Sequence, residues 1–339
     1  MTTAELALVE GIDGERPVDA IARDGVGDAR SVAREERCDM GIQQIVLLVL
    51  QLSIVCIVFS LGLMSTPADL LYLWRRPGLL LRSLLAMLVV MPVVAVVLTQ
   101  LVDAGNTSEI ALIAMALSPM PPLLPRREIK AGGLQPYSVS LLATLALLAV
   151  VTIPLSVELL AAYYQKPLTT PASAVARLAL ISVLLPLIAG IAVRAWTTIG
   201  GRLVRPASQL GSLLLVIGSV LLLSATWRSI WNVIGDGTVL LVVAFVAIGI
   251  AVGQLLGGPD PRQAAVLGLS TACRHPVITL TIASANFPDQ RFGATVILYL
   301  LVGLVLLAPY VKWSRAHIAA GGASAVADPE TRSRVRTRT

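Results

Sequence analysis

The chain has 339 residues, of which 56% are hydrophobic and only 14% charged, with a mean hydropathy of +0.82 and a net charge of +6. That balance leaves too few polar side chains to cover a water-soluble fold of this length, and apolar runs that are continuous instead of alternating exclude a transmembrane β-barrel. The expected class is an all-α polytopic membrane protein.

The first 40 residues carry ten acidic and five basic side chains and no apolar stretch of ten. They read as a flexible acidic tail, neither signal peptide nor spanning helix. Nine hydrophobic passes follow, at about 41–64, 78–102, 108–131, 137–162, 173–195, 209–226, 237–256, 263–286 and 292–312. They define a transmembrane domain over 41–313, with a first half of 41–162 and a second of 173–313. Residues 314–339, ending DPETRSRVRTRT, form a basic tail suited to anionic lipid. An odd number of passes puts the termini on opposite sides. One set of connections holds Arg75, Arg76, Arg82, Arg126, Arg127, Lys130, Arg194, Arg202, Arg205, Arg262, Lys312 and Arg315, whereas the other holds only Lys166, Arg177, Arg228 and Arg291. The positive-inside rule makes the first set cytoplasmic, with the N-terminus outside and the C-terminus inside, in what is expected to be a bacterial cytoplasmic (inner) membrane.

The first pass leads into TPADLLYLWRRPG, a short amphipathic segment expected on the cytoplasmic face. The third pass contains ALSPMPPLLPRREIKAGG. A helix starting near Glu109 reaches Pro119 after roughly 15 Å, half of a hydrocarbon core about 30 Å thick. Pro119, Pro121, Pro122 and Pro125 lie too close together for one regular helix to absorb, so the helix breaks near mid-membrane. Freed backbone groups at that depth must face protein or a water-filled cavity. The eighth pass repeats the pattern, because Arg274 stands about 18 Å beyond Arg262 and Pro276 interrupts the helix beside it. These are the third of the first four passes and the third of the last four, running in opposite directions. Paired breaks in inverted halves mark the binding site of a secondary transporter. The glycine pairs Gly211 and Gly218, Gly249 and Gly253, and Gly257 and Gly258 read as helix packing, with GGPDPR at 257–262 a tight turn into the second broken helix.

The run LGLMSTPADLLYLWRRPGLLLRSLLAMLVVMP at 61–92, the proline-broken helix after it, and LGLSTACRHPVITLTIASANFP at 267–288 resemble the bile acid:sodium symporter family, whose relatives include arsenite carriers. The resemblance covers about 41–313. It implies a panel domain and a core domain, with two discontinuous helices crossing at the centre of the core. Bacterial members typically have ten helices, and here the acidic tail stands in place of the first. The positions at which relatives hold sodium fall on Ser270, Arg274, Leu124, Pro125, Met87, Ser138 and Leu142, of which only Ser138 keeps the oxygen of the family's pattern. No Asp or Glu is expected near mid-membrane depth in any pass, and a hard cation in a dry site needs oxygen ligands that usually include a carboxylate. The ligand set thus counts against sodium, which stays beside a proton as a candidate coupling ion, and no metal site or cofactor is assigned.

Charge in the site points the other way. An intramembrane arginine is costly and normally lines a cavity with a function, and Arg274 fits that description. Half-helices beginning after Pro125 and Pro276 would aim two positive dipole ends at Arg274 and Arg126. The candidate substrate-binding set is Pro119, Pro121, Pro122, Pro125, Arg126, Ser138, Ser270, Thr271, Arg274, His275 and Pro276. Plainer readings stand beside it: Arg126, Arg127 and Lys130 as a cytoplasmic flank, Arg274 as a partner of helix carbonyls, and His275 as either a proton shuttle or a cap for freed backbone. Cys273 and His275, two residues apart with no third partner, make neither a metal site nor a nucleophile pair. No enzymatic constellation and no nucleic-acid surface emerges. The expected function is a secondary carrier of a small organic anion working by alternating access in the lipid bilayer. An uncoupled facilitator or channel, or a non-transporting sensor derived from a carrier, are the alternatives.

Overall fold

Backbone amides and carbonyls have no water to bond in hydrocarbon, so continuous apolar sequence must pair its own backbone, and the described residues do so as helices. The computed structural model describes residues 48–164, 168, 172–231, 234, 237–287 and 292–327. The acidic tail, the start of the first pass, Lys166, Arg291 and the end of the basic tail lie outside them. The chain divides into a unit ending at Leu48, of which only Leu48 is described, and a second unit, Val49–Thr339, which contains everything that follows.

In chain order the helices are α1 (Leu48–Met64), α2 (Pro67–Leu70), α3 (Pro77–Leu101), α4 (Asn106–Leu117), α5 (Leu124–Lys130), α6 (Gln135–Tyr164), α7 (Ala172–Ala179 continuing through Leu185–Trp196), α8 (Gly200–Trp231), α9 (Thr238–Leu256), α10 (Pro261–Ala272), α11 (Pro276–Asn286) and α12 (Gly293–Ala327). Seven stretches are long and apolar enough to cross a membrane, with Pro261–Asn286 counted across its central break; Leu48–Met64 and Asn106–Leu117 are shorter apolar helices. α12 runs on to Ala327, well beyond the expected end of the last pass near 313.

Local chemistry explains the ends. Proline opens α2, α3, α10 and α11, where its missing N–H would be unpaired in any helix. In TPADL the Asp69 carboxylate accepts from the Thr66 N–H at 2.7 Å, closing the first turn of α2. At GGPDPR the chain turns through Gly258 at φ 92, and Asp260 caps α10 by accepting from the Arg262 N–H at 2.8 Å.

Two helices contain a π turn just before a proline: Leu85–Val90 ahead of Pro92 in α3, and Leu180–Leu184 ahead of Pro186 in α7. In α3 the Met91 N–H bonds the carbonyl of Ala86. The i→i+5 pattern would give Met87 a partner at residue 92, which is proline and has no N–H. The Met87 carbonyl is left without a helical donor.

Small residues set the closest crossing. Gly249, Gly253 and Gly257 of α9 face Ala272, Gly268 and Ala264 of α10 in antiparallel register, and a Cβ on Gly249 would stand 2.9 Å from the Ala272 Cα. Gly62 of α1 and Gly190 of α7 meet in the same way, while Gly211 and Gly218 of α8 lie against Ile57 and Leu50 of α1. The outer face of α8 exposes Leu213, Val216, Ile217 and Val220 at helical spacing, as a lipid-facing surface does. Gly253→Ala is expected to force α9 off α10, destabilising the protein by about 1–3 kcal/mol. Gly303→Ala, whose new methyl meets nothing within 4 Å, should leave the thermal unfolding of detergent-solubilised protein nearly unchanged.

Candidate functional site

The two proline-rich stretches break where the sequence places them. α4 ends at Leu117 and its next residue, Ser118, is extended; α10 ends at Ala272 and Cys273 is extended. Pro119, Pro121 and Pro122 occupy the segment between α4 and α5, Pro125 stands in the first turn of α5, and Pro276 starts α11. α4 packs against α11 and α5 against α10, so each half of one broken run lies on a half of the other.

The breaks are bonded to each other. The His275 N–H donates to the Pro119 carbonyl at 2.9 Å and to Ser118 Oγ at 3.0 Å. Arg274 Nη1 donates to the Ser118 carbonyl at 3.1 Å. Thr279 Oγ1 lies 3.3 Å from Ser118 Oγ, which itself bonds the Met115 carbonyl at 2.8 Å. Ser118 is therefore the hub of the crossing, a role its place in "SPMPP" does not advertise. The other Arg274 nitrogen, Nη2, donates at 3.3 Å to the Met87 carbonyl, the acceptor that the π turn and Pro92 leave free.

Arg274 is 1% exposed, and its Nε is buried without a partner. Its guanidinium is met by two carbonyls and by no carboxylate. His275 turns its Nδ1 onto the Ile278 N–H at 3.4 Å and so caps α11 with the chain's own side chain. Tyr299 of α12 donates to the Ala272 carbonyl at 2.6 Å, closing the end of α10.

A second cluster adjoins the first through Met120, whose sulfur lies 3.9 Å from Ser270 Oγ. Ser270 donates at 2.6 Å to one carboxylate oxygen of Glu128, and Ser138 donates to the other. Glu128 is fully buried. The sequence reading did not single out this buried carboxylate. Reading RREIK as a basic flank hid it, although the helical phase signals it: Glu128 follows buried Leu124 by four residues and shares its face.

The expected set does not converge as a whole. Arg274, His275 and Pro119 meet at the crossing, and Ser138 and Ser270 meet at Glu128. Thr271 does not join them, since its hydroxyl is spent on the carbonyls of Gly249 at 2.5 Å and Leu267 at 2.7 Å, against α9. Arg126 points away from Arg274 and donates to Ser212 at 2.9 Å, Ser60 at 3.0 Å and Ser208 at 2.5 Å, joining α5 to α1 and α8. α11 begins at Pro276, beside Arg274, with its first turn capped by His275, and α5 is a seven-residue helix whose first turn holds Arg126. Among the described residues no group of three His, Cys, Asp or Glu is placed to hold a metal.

A family model, the Sodium Bile acid symporter family, matches residues 51–232, just over half of the chain. A search of curated proteins finds no match. Replacing the hub, Ser118→Ala, leaves the Thr279 hydroxyl with the His275 carbonyl alone, at 2.9 Å, and removes one of the two acceptors of the His275 N–H. A loss of about 1–3 kcal/mol is expected, read as a lowered unfolding temperature in detergent.

Proposed function

Because the chain belongs to the sodium bile acid symporter family, we propose that it is a secondary carrier that moves a small organic anion across the membrane by alternating access. The observation that carries this reading is Arg274, a guanidinium buried at the meeting of two broken helices with no carboxylate to neutralise it. A buried charge left unpaired is expensive, and the partner carbonyls supply only dipoles. An anionic headgroup of the substrate is the natural counter-ion, and Nε is a donor still unused. In this reading the seven long spans and two short apolar helices make nine passes, the two halves are inverted repeats, and α4–α5 and α10–α11 are the crossed helices of a core domain moving against a panel. Twelve Lys and Arg on one set of connections support an inward C-terminus.

Sodium has no evident place in this mechanism. The positions that bear its ligands in relatives carry Leu124, Pro125, Met87, Leu142 and Arg274 here, and the serines Ser138 and Ser270 are engaged with Glu128. A facilitator with an open pore would need a continuous polar lining. The polar groups of the crossing are instead bonded to one another.

Taurocholate and a panel of smaller organic acids, tested with and without sodium, should contain an anion that raises the melting temperature of the purified protein. Ligand at 100 times its dissociation constant adds about 2.7 kcal/mol. Arg274→Gln should abolish the shift, and sodium should not enlarge it. Full stabilisation of the Arg274→Gln protein by the same anion would falsify the assignment.

A further inference from the structure

Glu128 has no part in anion binding as described, yet it is a carboxyl group with 0% exposure, reached by the hydroxyls of two other helices. We propose that Glu128, clasped by Ser138 and Ser270, is a proton-binding site, and that the proton it carries is the coupling ion of the anion carrier; the second clause rests on the carrier reading above.

The ligand set selects a proton over a metal cation. A sodium-like ion takes about six oxygens, whereas the donors around this carboxylate are two serine hydroxyls, both already directing their hydrogens at it. The next atom beyond Ser270 is the Met120 sulfur, a soft and weak ligand for a hard ion. The main-chain oxygen of Glu128 is taken by the Gly133 N–H at 2.8 Å. A proton asks for far less. When it binds, the carboxylate becomes a carboxylic acid whose O–H donates to one serine while the other serine still donates to the carbonyl oxygen. A hydroxyl serves as donor or acceptor, so the same two serines partner either form of the Glu128 carboxyl.

Nothing nearby competes for the role of counter-charge. The elements packed on α5 are α6, α10 and α12. From α6 comes Tyr137, whose hydroxyl lies 2.8 Å from Ser83 Oγ; from α12 comes Tyr310, which Gln254 of α9 bonds at 2.5 Å. Beyond the end of α10 lie Cys273 and Arg274, the latter held by carbonyls. On α5 itself Arg126 is held by serines, and Arg127 and Lys130 are exposed. The groups that act directly on the Glu128 carboxyl are the two serine hydroxyls, with no cation among them.

Charge arithmetic then supplies the coupling. With Arg274 cationic and Glu128 ionised, the empty site sums to zero. With a monovalent anion on Arg274 and a proton on Glu128 it again sums to zero. Anion alone leaves one net negative charge in the bundle, and proton alone leaves one net positive charge, each carrying the penalty of an uncompensated charge in low dielectric. The two neutral forms are the ones that reorient readily, which gives one proton taken up and released per anion moved. The proton comes from water on one side and returns to water on the other, with no other bond made or broken.

The test has two arms. In the first, infrared difference spectra of the full-length protein in liposomes are recorded between mildly alkaline and mildly acidic pH. The wild type should gain a protonated-carboxyl C=O band. That band should be missing in Glu128→Gln and kept in Asp103→Asn, an exposed control, and in Ser270→Ala it should move to higher frequency because a hydrogen bond to the group is lost. Identical spectra for wild type and Glu128→Gln, or a carboxylate that responds to sodium and not to pH, overturn the proton site. In the second arm, taurocholate, whose sulfonate stays ionised, is taken up by proteoliposomes. An inward proton gradient should accelerate wild-type uptake several-fold and leave Glu128→Gln, assayed by taurocholate exchange to show that it still binds, unresponsive. Arg274-dependent uptake that ignores the gradient overturns proton coupling while leaving the carrier intact. If wild type neither takes up taurocholate nor is stabilised by any organic anion, the carrier reading fails, and the infrared arm still decides whether Glu128 binds a proton.

Discussion

A helix interrupted inside a hydrocarbon layer leaves amides and carbonyls that lipid cannot satisfy, and this chain meets that constraint by making each interruption the partner of the other. The extended residues after α4 offer carbonyls and a hydroxyl; the extended residues after α10 offer an N–H and a guanidinium, and α11 adds the Thr279 hydroxyl. The first break gives the carbonyls of Ser118 and Pro119, and the second meets them with the Arg274 guanidinium and the His275 N–H. The small-residue crossing of α9 on α10 follows from the same demand. It pins α10 closely enough that the chain after Ala272 arrives opposite Ser118.

The consequence for electrostatics is that the bundle holds two opposite charges without pairing them. Arg274 rests on carbonyl dipoles and Glu128 on hydroxyl dipoles, and the broken segments lie between them. A direct ion pair would have been cheaper to bury and would have cancelled both groups as ligand sites. Keeping them apart costs stability, and under the proposed function it leaves each group free to receive a counter-ion of its own.

Much of this was legible in the residues. Clustered prolines at 119–125 and a lone Pro276 beside Arg274 locate the two breaks, because proline acts through backbone chemistry that needs no tertiary context. The packing role of Gly249 and Gly253 could be read in the same way. Glu128 could not be placed so easily. RREIK looks like a cytoplasmic flank in a linear count, and only the turn of α5 separates buried Glu128 from exposed Arg127. Arg126 and Thr271 stand apart from the crossing for a related cause. Residue type and depth suggest a ligand, but the rotation of each helix directs Arg126 to Ser60, Ser208 and Ser212, and Thr271 to the backbone of α9. The chain's membership in a carrier family adds the general class of activity.

The acceptor at Met87 illustrates how little of this seat depends on side chains. Its carbonyl is idle because residue 92 is a proline, and Arg274 has taken it up. Residue 87 could therefore exchange its side chain for another of similar bulk and still offer the same oxygen in the same place. The anchoring information for the arginine is stored five residues downstream, in a ring that never touches it.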